Sequence, residues 1–232
     1  MPLLQDIDLK VSVDEVIRAQ GADPKIIRGR NPHLVQVAEK ALEQGLQFLK
    51  PQVLYREFTV DSLRHETLSF CEGGTIKGKL IAQHMAAAEK VVIILCTVGP
   101  TLEKNSGKLV STNPVAGLAL EGVGSAAVEA IANAVCNYFE NRATDNGLNT
   151  TIPLSPGMVG WPVDEGQSQI FTLLNAVEIG VELTPSYLML PRKSLTFAIG
   201  IGTNVLVEGT PCDYCTMKDT CQYQDHYAPS PN

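Results

Sequence analysis

The residues best suited to chemistry in this chain are three cysteines close to its C-terminal end. Cys212, Cys215 and Cys221 follow a C-x2-C-x5-C spacing. A C-x2-C turn brings two thiolates within reach of one soft metal ion, and a short loop can supply the third. The spacing therefore predicts a metal site, either zinc or an iron–sulfur cluster, in preference to unmodified thiols or a disulfide.

Both kinds of centre need a fourth ligand or keep one position open. Cys71, beside Gly73 and Gly74, is one candidate for that ligand, and His226 is the other. Cys96 and Cys136 fall in a predicted buried strand and a predicted helix, where cysteine behaves as a small apolar core residue. Spacing alone leaves the choice between zinc and an iron–sulfur cluster open.

A second informative segment runs from Pro153 to Pro162 and reads Pro-Leu-Ser-Pro-Gly-Met-Val-Gly-Trp-Pro. Its prolines fix φ and its glycines permit positive φ, so the segment is predicted to be a loop of defined shape. A helical pattern follows from Asp164 to about Gly180, and the N–H groups at the start of a helix favour anions. The segment is either a rigid connector or a loop that holds a ligand.

Two glutamates, Glu121 and Glu129, lie about two turns apart on the longest predicted helix, Pro114 to Arg142. A carboxylate on that side would either bind a ligand amine or hydroxyl or remain solvated. The first half of the helix is rich in glycine, alanine and serine, which indicates either close contact with a flat ligand or tight packing against another backbone.

The predicted elements that must position these residues alternate between helices and strands. Helices are predicted at Val13–Ala19, capped by Ser12, and from Asn31-Pro32 to about Leu49. Apolar and alternating patterns predict further elements: strands at 53–60, 67–70, 91–97 and 194–201, a helix at 75–89, and a strand at 205–207 paired with the one before it. We divide the chain into an N-terminal helical segment (1–50), an α+β core (51–208) and a cysteine-rich tail (209–232).

The composition excludes several classes of protein. The chain has 232 residues, 44% of them hydrophobic and 19% charged, with a net charge of −7, which is typical of a folded globular domain. No basic patch or nucleic-acid motif is present, so DNA and RNA are not expected partners. An N-terminus with early acidic residues is not a signal peptide, and no apolar run reaches the length of a membrane span. We therefore expect a cytoplasmic protein without membrane contact.

Several of these segments together resemble the activation domain of cobalamin-dependent methionine synthase. Residues 154–175 read LSPGMVGWPVDEGQSQIFTLLN and match its hallmark loop and helix. Residues 183–197, LTPSYLMLPRKSLTF, resemble its downstream strand, and residues 91–99 and 121–129 resemble its strand and long helix. The resemblance covers roughly residues 50–205, and the cysteine tail resembles that of stand-alone relatives from anaerobes.

This resemblance implies an α+β fold with a twisted antiparallel sheet and flanking helices. It also implies binding of S-adenosylmethionine and contact with a corrinoid protein or corrinoid-dependent methyltransferase and with an electron donor, for reduction and remethylation of cobalamin. The corrinoid would have to come on the partner protein. The predicted ligand-binding residues are one helix residue and six loop residues: Glu129, Ser155, Pro156, Gly157, Met158, Gly160 and Trp161.

The sequence departs from that family at two positions of the loop. The family carries an arginine shortly before Pro-Gly and a tyrosine just after it, and Pro153 and Met158 stand there instead. Arginine can hold a carboxylate through two hydrogen bonds, which proline cannot do. Two alternatives therefore stay open: an accessory protein with structural zinc, and a protein that binds or methylates a different small molecule in the same cleft.

Overall fold

The computed structural model describes residues 9–221. His226, one of the two candidates for the fourth metal ligand, lies outside this range.

Three helices precede the sheet: α1 (Val13–Ala19), α2 (Pro24–Arg30) and α3 (Pro32–Leu46). The predicted cap of α1 is confirmed, since Ser12 and Glu15 form a reciprocal capping box. The sequence did not reveal α2, because Pro24 is the one buried residue of this helix and no apolar face marks it.

Eight strands follow in chain order: β1 (Gln52–Arg64), β2 (Thr67–Phe70), β3 (Thr75–Lys77), β4 (Lys90–Thr97), β5 (Asn149–Thr150), β6 (Glu182–Leu183), β7 (Met189–Leu190) and β8 (Ser194–Gly202). Six of them form one sheet in the order β3-β2-β1-β4-β8-β5, and all neighbours are antiparallel. Strand β4 lies inside this sheet and is buried from Val91 to Thr97, which explains its continuous apolar sequence.

Four more helices are described: α4 (Lys79–Met85), α5 (Thr101–Val110), α6 (Pro114–Thr144) and α7 (Val163–Leu173). The second half of α6 packs on one face of the sheet, where Val135 and Phe139 meet side chains of β1, β4 and β8. The other face is covered by α4, α7 and Trp161. The predicted α+β fold, an antiparallel sheet with flanking helices, is confirmed.

Three local predictions were wrong, and a second helix was missed. The helix predicted at 75–89 begins with β3 and becomes helical only at Lys79. The helix predicted to reach Gly180 ends at Leu173 and is followed by a 3-10 turn, Ala176–Ile179. Residues 205–207 form no strand, and α5 was not predicted.

Helix α6 is the one helix among residues 9–221 with the length and apolar composition to cross a membrane. In its most apolar 18-residue window, however, 61% of the residues are buried inside the domain. The core helix of a soluble protein has the same composition, so this is weak evidence for a membrane span.

Candidate functional site

A cavity of about 350 Å³ lies between helix α6, strand β8, the loop that precedes α7 and the C-terminal tail. Its lining is mainly apolar and includes Pro153, Pro156, Met158 and Phe197. Volumes of 300–1,000 Å³ are typical of small-molecule sites. The cavity therefore has the size and surface of a ligand pocket, at the small end of that range.

The loop over the cavity is held by its own backbone hydrogen bonds. The Gly157 N–H donates to the Trp161 carbonyl at 2.8 Å, and the Trp161 N–H donates to the Met158 carbonyl at 2.9 Å. Gly157 and Gly160 have φ of 102° and 90°, a region that favours glycine. The predicted shaped loop is therefore present, and its ends are fixed by β8 on one side and α7 on the other.

The predicted ligand residues separate into two groups. Glu129, Ser155, Pro156, Gly157 and Met158 line the cavity. Trp161 is fully buried in the core, and its indole N–H donates to Gln169 Oε1 at 3.4 Å. The Gly160 carbonyl accepts from the Leu80 N–H at 3.3 Å. Gly160 and Trp161 thus support the loop from behind and are not among the lining residues.

The two glutamates of α6 have different surroundings. Glu129 faces the cavity. Glu121 instead forms ion pairs with Lys193 (Nζ–Oε2, 2.7 Å) and Arg192 (Nη2–Oε1, 3.3 Å). Arg192 also pairs with Glu103 at 2.6 Å. These basic residues are engaged in tying β8 to α5 and α6.

The charges at the cavity are of one sign. Among residues 9–221, Glu129 is the one ionisable lining residue besides four cysteines, and no lysine, arginine or histidine of that range lines the cavity. Burial raises the pKa of the Cys136 thiol to about 12, with smaller contributions from Glu140 and Glu129. In the metal-free protein this thiol is protonated and a poor nucleophile.

The tail residues that line the cavity are held in a tight turn. The 3-10 helix Pro211–Tyr214 is capped by Thr210 and Asp213. The pKa of Asp213 is lowered to about 2, chiefly by its hydrogen bond from Lys218 and then by those from Thr210. The Met217 N–H donates to Cys215 Sγ at 3.4 Å.

The tail is joined to the loop by backbone contacts. The Val159 N–H donates to the Tyr214 carbonyl at 2.8 Å, and Met158 forms an antiparallel bridge with Cys215. The Tyr214 ring meets His84 edge-on, with ring centroids 4.7 Å apart. The cysteine tail therefore forms a wall of the cavity and is attached to the loop opposite α6.

The three predicted metal ligands, Cys212, Cys215 and Cys221, all line this cavity. Within residues 9–221, however, no group of three or more His, Cys, Asp or Glu side chains is arranged as a metal site. Cys71 is exposed in the turn between β2 and β3 and is not among the lining residues. Thiols are donors of the kind that soft metals prefer, but the described side chains are not grouped around one point.

Sequence reasoning missed Cys136 and Asn133 as residues of the site. They lie seven and four positions after Glu129 on α6, and all three line the cavity. Residues at this spacing share one face of a helix, so the predicted role of Glu129 was the signal that could have found them.

The fold is similar to that of a known domain. A crystal structure of the MetH reactivation domain bound to AdoHcy aligns with a TM-score of 0.63 and 13% sequence identity. The alignment covers 88% of this chain and 78% of the other. No protein-family model and no curated protein matches the sequence. At this identity the likeness establishes the reactivation-domain fold.

Proposed function

We propose that this protein supports the reductive activation and remethylation of a corrinoid that is carried by a partner methyltransferase system. One observation carries this proposal: on a reactivation-domain fold, a single cavity joins the Pro-Gly loop to three tail cysteines. That arrangement puts a ligand pocket and a set of soft metal donors side by side. The partner would be a corrinoid protein or corrinoid-dependent methyltransferase, in the cytoplasm.

The ligand that we propose for the cavity is S-adenosylmethionine. The similar domain was crystallised with AdoHcy, which is the product left when S-adenosylmethionine loses its methyl group. Glu129 supplies a negative charge that suits a sulfonium or an ammonium group. The lining residues that the structure describes offer no cation for the carboxylate of S-adenosylmethionine, and Pro153 cannot replace the arginine expected there, so we expect weak binding.

The tail cysteines are proposed to hold an iron–sulfur cluster or zinc. A cluster would supply one-electron transfer from a low-potential donor to the partner's cob(II)alamin. In the following step the partner's cob(I)alamin would donate its electron pair to the methyl carbon of S-adenosylmethionine. The carbon–sulfur bond breaks as the cobalt–carbon bond forms, and AdoHcy leaves. The residues of this chain bind and orient the methyl donor at the loop.

A second candidate is an accessory protein with structural zinc and no electron transfer. It is favoured by the tight turn at Pro211–Tyr214 and by the Met217 N–H bond to Cys215 Sγ, since such turns also occur at structural zinc sites. Visible absorption distinguishes the two candidates. Anaerobically purified protein that carries a cluster is brown, whereas a zinc protein is colourless and contains stoichiometric zinc.

Corrinoid reduction tests the main proposal. The wild-type protein, a one-electron reductant and S-adenosylmethionine are mixed with a cob(II)alamin-loaded corrinoid protein, and methylcobalamin is followed by its absorption. We expect wild type to accelerate methylation and Cys215→Ser to lose most of that acceleration. Cys71→Ser is the matched control, because Cys71 is exposed and lies outside the cavity lining. Equal rates with and without wild-type protein would reject the proposed function.

Calorimetric titration with S-adenosylmethionine and AdoHcy tests the cavity. Glu129→Gln removes the negative charge while keeping the shape of the side chain, and hydrogen bonds to charged groups contribute about 1.5–3 kcal/mol. We therefore expect roughly a tenfold or larger loss of affinity for S-adenosylmethionine. Glu39→Gln is the control, because Glu39 is an exposed residue of α3. Unchanged affinity in Glu129→Gln would remove Glu129 from the ligand site.

A further inference from the structure

Four of the six cysteines of the chain line one cavity: Cys136 from α6 and Cys212, Cys215 and Cys221 from the tail. We infer that Cys136 is the fourth ligand of the metal centre, so that the site is a four-thiolate site closed between helix α6 and the tail. This inference rests on the metal centre of the proposed function and names its missing donor.

The position of Cys136 supports this role. The residue lies in the second half of α6, and its side chain is partly exposed because it reaches the cavity wall. Helix α6 is anchored on the sheet through Val135 and Phe139, which are fully buried. A ligand on such a helix has a fixed position.

The tail supplies the other three donors from a short segment. The Cys215 N–H donates to the Cys212 carbonyl at 3.3 Å, which forms the turn of the C-x2-C pair. Cys212 and Cys215 both line the cavity, together with Pro211. Asp213 keeps the Lys218 ammonium in place at 2.9 Å.

The other residues of the range 9–221 fit the fourth position less well. Met158 also lines the cavity, but its sulfur already accepts a hydrogen bond from the Ser155 N–H at 3.3 Å. Glu129 offers an oxygen, and zinc or iron–sulfur centres that have three cysteines more often complete their set with sulfur or histidine nitrogen. Cys96 is fully buried in β4, and Cys71 is exposed in a turn; neither of them is among the lining residues.

The arrangement predicts what metal binding does to the fold. Since the described side chains are not yet arranged as a metal site, coordination has to draw the tail toward α6. Val159 and Met158 of the loop are joined to the tail by backbone contacts. A shift of the tail toward α6 would therefore also shift the loop. The metal would therefore fix the wall of the ligand cavity as well as the tail.

Titration of metal-free protein with Co²⁺ tests the inference, because the intensity of the thiolate-to-cobalt absorption band counts the bound thiolates. We expect four thiolates in wild type and in the control Cys71→Ser. In Cys136→Ser and Cys136→Ala we expect the band to lose about a quarter of its intensity, since three of four thiolates remain. Their affinity for Co²⁺ should fall by at least 10- to 100-fold, on the order of what is lost when a supporting residue is removed.

Either of two results would overturn the inference. One is a wild-type protein that binds Co²⁺ through three thiolates or fewer, or that does not bind Co²⁺. This measurement needs only the wild-type protein, so it tests the inference even if the Cys136 variants fail to fold. The other is a folded Cys136→Ser protein with wild-type band intensity and affinity. Four thiolates in a protein that does not accelerate corrinoid methylation would reject the proposed function and leave this site standing.

Discussion

His84 is a polar residue whose side chain is buried. Its side chain is only 1% exposed, and among the described residues neither ring nitrogen has a hydrogen-bond partner. Burial lowers its pKa from the ordinary value of 6.5. The ring packs against Tyr214 of the tail, so the neutral imidazole serves as an apolar surface.

We predict that His84 makes the folded protein sensitive to mild acid. Because its folded-state pKa lies below 6.5, the unfolded chain binds the proton more readily, and stability falls as the pH drops through and below 6.5. His84→Phe removes this contribution. Urea unfolding at about pH 7.5 and about pH 5.5 should show a smaller loss for the variant than for wild type.

The result at the higher pH separates packing from titration. An apolar ring that replaces an unsatisfied buried polar group is close to neutral or stabilising, so we expect His84→Phe to match or exceed wild type at about pH 7.5. A variant with the same loss of stability in acid as wild type would show that other groups cause that loss.

At the scale of elements, the glycine-rich half of α6 turns out to be a helix-packing surface. A Cβ atom on Gly117 would lie 2.5 Å from the Val110 nitrogen, and one on Gly122 would lie 2.9 Å from the Val16 carbonyl oxygen. Gly117 faces α5 and Gly122 faces α1. Of the two explanations that the sequence left open for this stripe, tight packing against other backbones is the one the structure supports.

Two glycine substitutions test this packing. Gly117→Ala would press a methyl group into the backbone of Val110, and overpacking of this kind costs about 1–3 kcal/mol. Gly107→Ala, on α5, meets no atom within 4 Å and should stabilise the protein by up to about 1 kcal/mol. Denaturant unfolding measures the change in the free energy of unfolding for both variants. An unchanged free energy of unfolding in Gly117→Ala would contradict close contact between α5 and α6.

Elements with a strong pattern were predictable and weakly patterned ones were not. Strand β4 and helix α6 were predicted to within a few residues, because continuous β-branched residues and a long apolar period are unambiguous. Helix α5 escaped prediction, since it buries only Leu102 and Ser106. Strand β3 was read as helix because its three residues are defined by pairing with β2, which is a tertiary contact.

At the scale of the whole molecule, three core clusters lie within residues 9–205, and of the described tail residues Tyr214 packs against one of them. The described part of the tail thus adds little to the core and much to the cavity. Its contacts with the loop are a backbone hydrogen bond and a bridge, both near Met158.

A chain that ends at Glu208 should separate folding from ligand binding. We expect circular dichroism to show an intact fold, with about 1–2 kcal/mol of lost stability from the Tyr214 packing and the backbone hydrogen bonds. Binding of S-adenosylmethionine and of metal should be lost, because one wall of the cavity and three thiols are gone. Full ligand affinity in the shortened chain would show that the tail is not part of the site.

The sequence by itself determined which residues are chemically distinctive. The C-x2-C-x5-C spacing marked Cys212, Cys215 and Cys221, and the prolines and glycines of 153–162 marked a shaped loop, because both signals are local. It also indicated the fold, through the resemblance of 154–175 and 183–197 to the methionine synthase activation domain.

Only the tertiary structure decided how these local signals combine. Glu129 lines the cavity, whereas Glu121 pairs with Lys193. Trp161 lies in the core and is not among the lining residues. The tertiary structure also brought Cys136 to the tail cysteines, across more than seventy residues of sequence. No local pattern encodes such proximity, since it arises when the sheet and α6 bury their apolar faces against each other.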